Sequence, residues 1–137
     1  MTRALIDTGA VYALTQTTDR HHREAVAFLR NWVHRKGTFW ISDLVFIESM
    51  TLIKRRLGSA AAIRIGTELR ENPLFAWISL TPELEKETWS LFQDYQDKEW
   101  SYTDCELLVL SNRLKISNVF AFDHHFCQMP GMRRLPV

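Results

Sequence analysis

The chain has no long apolar run, few cysteines and almost no net charge, and each absence excludes a class of protein. No stretch of the 137 residues approaches the roughly 20 apolar residues that a membrane-spanning helix requires. The two cysteines form neither a CxxC pair nor a framework of several disulfides, which favours a reducing compartment. With a formal net charge of +1, the chain also lacks the overall basic field of many nucleic-acid binders.

The start of the sequence favours a cytoplasmic protein without a membrane anchor. Asp7 interrupts the first apolar residues too early for the core of a signal peptide. Cys105 and Cys127 are interpreted as packing thiols. Any contact with nucleic acid would have to come from local basic clusters, although such clusters are more often solvated helix faces. The densest clusters are Arg20, His21, His22 and Arg23; Lys54, Arg55 and Arg56; and Arg133 and Arg134.

The composition is that of a globular protein, with 46% apolar and 24% charged residues. At 137 residues the chain matches one ordinary domain, so we expect a single domain over residues 1–137. Its five tryptophans are expected to lie mainly in the core.

Strand-like apolar runs alternate with helical patterns along the chain. We predict strands at residues 3–6, 39–41, 77–80 and 119–122, with a short edge strand near 133–137. Predicted helix caps are Ser42 or Asp43, Ser59, Thr81 and Ser101. The alternation predicts an α/β fold, a three-layer α/β/α single domain with a mostly parallel sheet of four or five strands.

Four acids share a position at the end of a predicted strand or on the helix that follows: Asp7, Glu48, Asp104 and Asp123. The carboxyl ends of parallel strands lie along one edge of a sheet, so these acids can converge there. Taken singly, the three aspartates could equally cap helices, and Glu48 could be a surface residue. Together they would concentrate negative charge that a divalent cation offsets. Ligation by oxygen alone suits Mg²⁺ or Mn²⁺.

Other catalytic signatures are absent from the sequence. There is no HExxH or HxxxH pair for zinc, and no GxGxxG, GxxxxGK[ST] or GxSxG motif. A phosphatase that uses a phosphoaspartate is the nearest rival, because Asp7 and Thr8 end the first strand. Gly9, however, occupies the position where haloacid-dehalogenase-like phosphatases have a second aspartate.

Three segments resemble one known family: LIDTGAVYAL at residues 5–14, WSYTDC at 100–105 and FDHHF at 122–126. They are similar to motifs of the PIN domain nucleases, and within that family to the VapC-like toxins of bacterial and archaeal toxin–antitoxin pairs. Gly9 departs from the family pattern, in which serine is commoner at that position. Glu48 matches the second acid of the family by its context on the helix after the second strand.

The resemblance implies a PIN-like domain that acts as a Mg²⁺- or Mn²⁺-dependent endoribonuclease, the toxin of a toxin–antitoxin pair. Asp7, Glu48, Asp104 and Asp123 would be both its catalytic and its metal-binding residues. Candidate hydroxyls that would hold these carboxylates in place are Thr8, Ser101 and Thr103.

The implied partners are an RNA substrate, a cognate antitoxin and a second copy of the chain, with no membrane. Lys54, Arg55 and Arg56 would help to grip RNA if their helix edge faced the site, but the sequence does not fix that rotation. Two alternatives remain open: a PIN-like module that binds RNA or a partner without cleavage, and a metal-dependent phosphatase.

Overall fold

A five-stranded sheet in which every pair of neighbouring strands is parallel forms the centre of the computed structural model, which describes residues 2–137. Its strands are β1 Arg3–Ile6, β2 Thr38–Ser42, β3 Phe75–Ile78, β4 Asn118–Phe120 and β5 Arg133–Leu135. Their order across the sheet is β3-β2-β1-β4-β5. The register pairs Leu5 with Trp40 on one side and with Val119 on the other. β1 therefore lies in the middle, where both of its neighbours shield its backbone.

Helices connect the strands and cover the sheet. They are α1 Thr8–Thr15, α2 His22–His34, α3 Asp43–Leu57, α4 Ser59–Glu71, α5 Pro82–Asp94 and α6 Tyr102–Leu114, with a 3-10 helix at His124–Cys127. The result is the three-layer α/β/α architecture that the sequence predicted. Within residues 2–137, no helix combines the length and the apolar character that crossing a bilayer needs.

Hydroxyl side chains set the starts of three helices, as predicted. Ser42, Thr81 and Ser101 each accept a hydrogen bond from the backbone N–H three residues further on, at 3.2, 3.2 and 3.0 Å respectively. The prediction that Ser59 caps a helix is wrong. Gly58 ends α3 with a φ of 94°, and the chain enters α4 directly, so Ser59 is already the first residue of that helix.

Two strands lie closer to the N-terminus than the sequence suggested. β3 ends at Ile78 instead of residue 80, because the Asp43 carboxylate accepts hydrogen bonds from the Leu80 N–H at 2.8 Å and from the Trp77 indole at 2.6 Å. β4 ends at Phe120 instead of residue 122, since its partner β5 offers only three residues. Asp123 consequently lies in the loop after β4.

An aromatic cluster fixes the strands that lead to this edge. Phe120 is fully buried, and its ring centre lies 4.7 Å from that of Phe28 and 5.3 Å from that of Phe39. Burial of one such ring contributes about 1.5–3 kcal/mol. Trp89 departs from the expected core position, with 53% of its surface exposed.

The two cysteines differ from each other. Cys105 is buried, in agreement with its interpretation as a packing thiol. Cys127 is exposed at the end of the 3-10 helix, so that interpretation is wrong for it. In the same short helix, Phe126 is the residue that is buried in the core.

Candidate active site

The four predicted acids come from four different segments, and contacts connect them at the carboxyl edge of the sheet. Asp7 directly follows β1, Asp104 lies in the first turn of α6, Glu48 lies on α3, and Asp123 lies between β4 and the 3-10 helix. We call these four residues the acidic site. Hydrogen bonds and like-charge interactions described below link the four acids, so they approach one another at this edge, but no three of their carboxylates place ligand atoms within 4.8 Å of one another.

Asp7 is buried, and its side chain caps α1. The residue is 7% exposed, and Oδ2 accepts a hydrogen bond from the Gly9 N–H at 3.4 Å. Burial is the largest cause that raises the pKa of Asp7, to about 7; the negative charge of Asp104 adds to it, and that of Glu48 adds less. Backbone N–H groups of Thr8 and Gly9 act in the opposite direction. Asp7 therefore lies close enough to two other acids to feel their charges.

Asp104 takes part in a capping box and also faces a histidine. The Ser101 N–H donates to Asp104 Oδ2 at 2.9 Å, while the Ser101 hydroxyl accepts from the Asp104 N–H. The same Oδ2 lies 3.1 Å from His125 Nδ1. The helix-capping interpretation and the convergence are thus both true of Asp104, since one carboxylate serves the helix end while facing the site.

Glu48 is joined to α6 through a hydroxyl. The Thr103 Oγ1 donates a hydrogen bond to Glu48 Oε2 at 2.7 Å. Thr103 is 8% exposed, whereas Glu48 is an exposed residue of α3. The contact draws an otherwise solvent-facing carboxylate to the residue next to Asp104.

Asp123 joins the site through His125. Its Oδ1 accepts from the His125 N–H at 2.9 Å and lies 3.2 Å from His125 Nδ1. His125 Nδ1 therefore stands between Asp104 and Asp123, at 3.1 and 3.2 Å. The sequence placed His125 in the FDHHF segment but gave it no role; the signal for its position was its place two residues after Asp123.

One group of His, Cys, Asp or Glu side chains among residues 2–137 places its ligand atoms within 4.8 Å of one another: Asp123, His124 and His125. Structural zinc sites use four such ligands with wider sequence spacing. His124 is also 73% exposed, and its Nδ1 lies 3.6 Å from Asp123. This group therefore gives no support to a zinc site, which the sequence also disfavoured.

The three candidate hydroxyls behave differently. Thr103 binds the Glu48 carboxylate directly, and Ser101 caps α6. The Thr8 Oγ1 is buried and has no hydrogen-bond partner within the described residues. A buried hydroxyl without a partner costs free energy of about 1–3 kcal/mol, so this group has donor and acceptor capacity to offer beside Asp7.

The donor set fits a hard divalent cation. All the side-chain donors of the four acids are carboxylate oxygens, which Mg²⁺ and Mn²⁺ favour. The raised pKa of Asp7 reflects the cost of its burial near like charges, which a cation would offset. The partnerless Thr8 hydroxyl lies next to Asp7 in the sequence.

A fifth acid, Glu106, is also buried, and no sequence motif singled it out. It is 1% exposed, and its Oε1 accepts from the Ser42 hydroxyl at 2.6 Å. Burial raises the pKa of Glu106 to about 7, with the Asp43 charge adding to the rise and the Ser42 hydrogen bond opposing it. The only available signal was its place inside the apolar run CELLVL.

The basic run at the end of α3 is exposed. The guanidinium of Arg56 lies 5.4 Å from the ring centre of Tyr12, so this side chain faces α1. Lys54 and Arg55 are exposed on the same last turn. The rotation that the sequence left undetermined is thus fixed for Arg56, which turns toward the helix that Asp7 caps.

A model of the PIN domain family matches residues 4–132. The chain therefore belongs to the PIN domain family.

Within that family the chain is VapC-like in sequence and fold. It is 29% identical over 126 residues to the 23S rRNA-specific endonuclease VapC20 of Mycobacterium tuberculosis, which covers 88% of this chain and 89% of the relative. It is 28% identical over 125 residues to a VapC ribonuclease of Archaeoglobus fulgidus, across 90% of this chain and 78% of the relative.

Solved structures agree with this likeness. The crystal structure of Mycobacterium tuberculosis VapC20, described as a sarcin-ricin loop cleaving toxin, matches with a TM-score of 0.83 at 25% identity and covers 93% of this chain and 95% of that one. A toxin–antitoxin complex from Klebsiella pneumoniae matches with a TM-score of 0.69 at 21% identity and covers 95% of each chain. At that identity the second match concerns the fold alone.

Proposed function

We propose that this protein is a divalent-metal-dependent endoribonuclease and the toxin of a toxin–antitoxin pair. The observation that carries the proposal is the convergence of Asp7, Glu48 and Asp104, close enough that the charges of the other two raise the pKa of Asp7. The VapC-like relatives, which are named as a ribonuclease and an rRNA endonuclease, support the same activity.

Asp7 and Asp104 are the proposed direct ligands of Mg²⁺ or Mn²⁺. Glu48 and Asp123 would bind the cation directly or through water, or would orient the attacking water. When bound, such a cation supplies a water of lowered pKa and neutralises charge on the phosphoryl and leaving oxygens. No side chain is needed as a covalent nucleophile.

The surrounding side chains hold the carboxylates in fixed orientations. The Ser101 N–H and the His125 ring both lie against Asp104 Oδ2, so this carboxylate has little freedom to rotate. Thr103 restrains Glu48 in the same way. Hydrogen bonds of this kind around a metal site typically change affinity or activity about 10–100-fold.

Ribosomal RNA is the proposed substrate class. The VapC20 relatives are named as 23S rRNA-specific endonucleases. Their likeness covers 88% of this chain and 89% of the relatives. The structured loop that the solved VapC20 is described as cleaving is the first substrate to test.

We also propose a cognate antitoxin, a homodimer and a cytoplasmic location, with residues 1–137 forming one PIN-like domain. An apolar hollow of about 250 Å³ between α3 and α4, lined by Phe46, Met50 and the exposed Ile63, supports the antitoxin because it would accept an apolar segment. A gene for a small DNA-binding protein directly upstream would support this role, and its absence would leave the nuclease proposal intact.

The activity is tested by incubating purified protein with 23S rRNA in Mg²⁺ or Mn²⁺. Cleavage is expected in the unmodified protein and is expected to be lost in EDTA and in the Asp7→Asn and Asp104→Asn variants. Asp94→Asn is the matched control, because Asp94 is an exposed residue at the end of α5.

The alternatives give different results in the same assay. Cleavage in EDTA, or full activity of both site variants, would exclude the metal mechanism. RNA binding without cleavage under any metal condition would favour the non-cleaving module. Release of phosphate from small phosphomonoesters would favour the phosphatase.

A further inference from the structure

A cavity opens beside Asp123 of the acidic site. It has a volume of about 520 Å³ and is lined by Gly9, by Arg20 and His21 ahead of α2, and by residues 122–125. The volume lies within the range of about 300–1,000 Å³ typical of small-ligand sites. The sequence noted Arg20 and His21 as a basic cluster without a role.

The basic wall of this cavity is attached to the segment that carries Asp123. The His21 ring stacks on the Phe122 ring, with 4.4 Å between the ring centres and 12° between the planes. The His21 N–H also donates to Asp19 Oδ2 at 2.9 Å. His22 Nδ1 lies 2.8 Å from the Ala13 carbonyl oxygen, which joins this segment to α1. The stack on Phe122 and the contact with α1 therefore fix the position of His21 and His22.

Arg20 is oriented by the histidine next to it. Its Nε donates to His21 Nε2 at 3.1 Å, so the imidazole acts as acceptor at this nitrogen. The other ring nitrogen, Nδ1, lies 4.0 Å from Glu24 Oε1. Among residues 2–137, no carboxylate lies within 4.0 Å of the Arg20 guanidinium. Its two terminal nitrogens are available to a ligand.

An acidic site that acts on a polyanion needs a cation nearby, because RNA phosphates are repelled by carboxylates. Arg20 meets this need at the Asp123 side of the site, and a guanidinium matches the oxygens of a phosphate with two parallel hydrogen bonds. Phosphate contacts of this kind fix the position of a nucleic acid without reading its sequence.

We propose that Arg20, oriented by the Phe122–His21 stack, binds a backbone phosphate of the RNA that flanks the scissile one. The proposal rests on the ribonuclease function proposed above and adds the residue that positions the substrate. His21 is a positioning residue, since it acts through Arg20.

The first experiment compares Arg20→Ala with Arg23→Ala in steady-state cleavage of 23S rRNA. Arg23 is the matched control, since it is exposed three residues along and does not line the cavity. Arg20→Ala should raise KM about tenfold and change kcat less than about threefold, because the lost contact is present in both ground and transition state. Arg23→Ala should leave both constants within about twofold.

Binding is measured separately from cleavage in the Asp7→Asn background. A fluorescein-labelled single-stranded RNA is titrated in Mg²⁺ at several salt concentrations, with anisotropy as the readout. Adding Arg20→Ala should reduce the slope of log affinity against log salt by about 0.7, the loss of one phosphate contact on a single strand. Arg20→Lys should keep the slope and recover part of the affinity, since lysine retains the charge but not the fork.

A double-mutant cycle tests the role of His21. His21→Phe keeps a ring to stack on Phe122 and removes the acceptor for Arg20 Nε. It should weaken RNA binding about threefold when Arg20 is present and leave it unchanged in Arg20→Ala, because coupled residues are not additive. Equal losses in both backgrounds would mean that His21 acts only on the local structure.

The outcomes separate this proposal from the function on which it rests. If the unmodified protein cleaves RNA while Arg20→Ala and Arg23→Ala behave alike, the phosphate contact is excluded and the nuclease stands. If the protein binds RNA in an Arg20-dependent way but never cleaves it, the contact stands and the nuclease function fails. Absence of any RNA binding would exclude both.

Discussion

Asp7 and Glu106 are two buried acids with similar exposure and different surroundings. They are 7% and 1% exposed, and burial is the main cause that raises the pKa of each to about 7. Asp7 feels the negative charges of Asp104 and Glu48, whereas Glu106 accepts a short hydrogen bond from the Ser42 hydroxyl and feels the charge of Asp43.

The difference shows that burial of an acid does not by itself define a site. Glu106 has a hydroxyl donor, and the same Ser42 Oγ accepts from the Val45 N–H, so the pair joins the start of α3 to α6. Asp7 has other acids as neighbours, and its donors are the backbone N–H groups of Thr8 and of Gly9, the latter at 3.4 Å. A buried carboxylate beside other negative charges is stabilised by a bound cation. Glu106 instead has a hydrogen-bond donor within the fold.

The largest contrast is expected in catalysis. Asp7→Asn should lower cleavage of 23S rRNA by more than about 100-fold, since a proposed metal ligand costs more than the 10–100-fold typical of its supporting residues. Glu106→Gln should stay within about threefold, because an amide can still accept from Ser42. Equal loss in a folded Glu106→Gln protein would remove the distinction.

The second contrast concerns pH and stability in the metal-free protein. Both acids have a folded pKa of about 7, above their ordinary values of 3.8 and 4.5, so they favour folding when protonated. This contribution is complete below about pH 4 and is lost as pH rises through 7. Each acid would contribute on the order of a few kcal/mol. Thermal unfolding in EDTA from pH 5 to 8.5 should show a falling Tm.

Amide variants show how much each acid contributes to the fall of Tm with pH. Asp7→Asn and Glu106→Gln should each flatten the pH dependence, because neither amide titrates. Asp94→Asn, exposed at the end of α5, should leave it unchanged. A flat profile in the unmodified protein would contradict the raised pKa values.

Metal binding should distinguish the two acids again, with a smaller effect. At pH 8, a cation present at 100 times its dissociation constant stabilises the folded state by about 2.7 kcal/mol. Mg²⁺ or Mn²⁺ should therefore raise the Tm of the unmodified protein and of Glu106→Gln, and fail to do so for Asp7→Asn. Calorimetric titration is the direct check; undiminished binding to Asp7→Asn would place the cation elsewhere.

The sequence predicted the part of the acidic site that depends on element junctions. Asp7 and Asp104 follow recognisable strand and helix signals, and residues 3–6 and 133–137 contain strands as expected. Glu48 was identified by context alone, and its contact with Thr103 depends on the packing of α3 near α6. Its role as a ligand stays a prediction, as do the roles of Asp7, Asp104 and Asp123.

The features that sequence reasoning missed depend on tertiary contacts. Glu106 lies in α6, where residues 103–111 are all buried, so no polar and apolar alternation marked it. His125 reaches Asp104 only because a 3-10 helix turns its ring back. β3 ends at Ile78, before the predicted residue 80, because the Asp43 carboxylate accepts a hydrogen bond from the Leu80 N–H. None of these contacts has a signature within a local window of sequence.

The smallest expected effects come from the hydroxyls that serve each kind of acid. Thr103 donates to Glu48 at 2.7 Å, and Ser42 donates to Glu106 at 2.6 Å. Thr103→Val should lower kcat about tenfold with little change in stability, whereas Thr103→Ser should retain activity. Ser42→Ala should instead cost about 1–2 kcal/mol of stability and leave kcat nearly unchanged, since it removes a helix cap and the donor to Glu106.

The control for both hydroxyl variants is Thr67→Val. The Thr67 hydroxyl bonds the Ile63 carbonyl oxygen on an exposed face of α4, so its loss should alter neither kcat nor stability appreciably. Chemical denaturation and steady-state cleavage are measured on the same preparations. If Ser42→Ala lowers kcat as much as Thr103→Val while the protein remains folded, Glu106 belongs with the catalytic acids and the contrast with Asp7 is wrong.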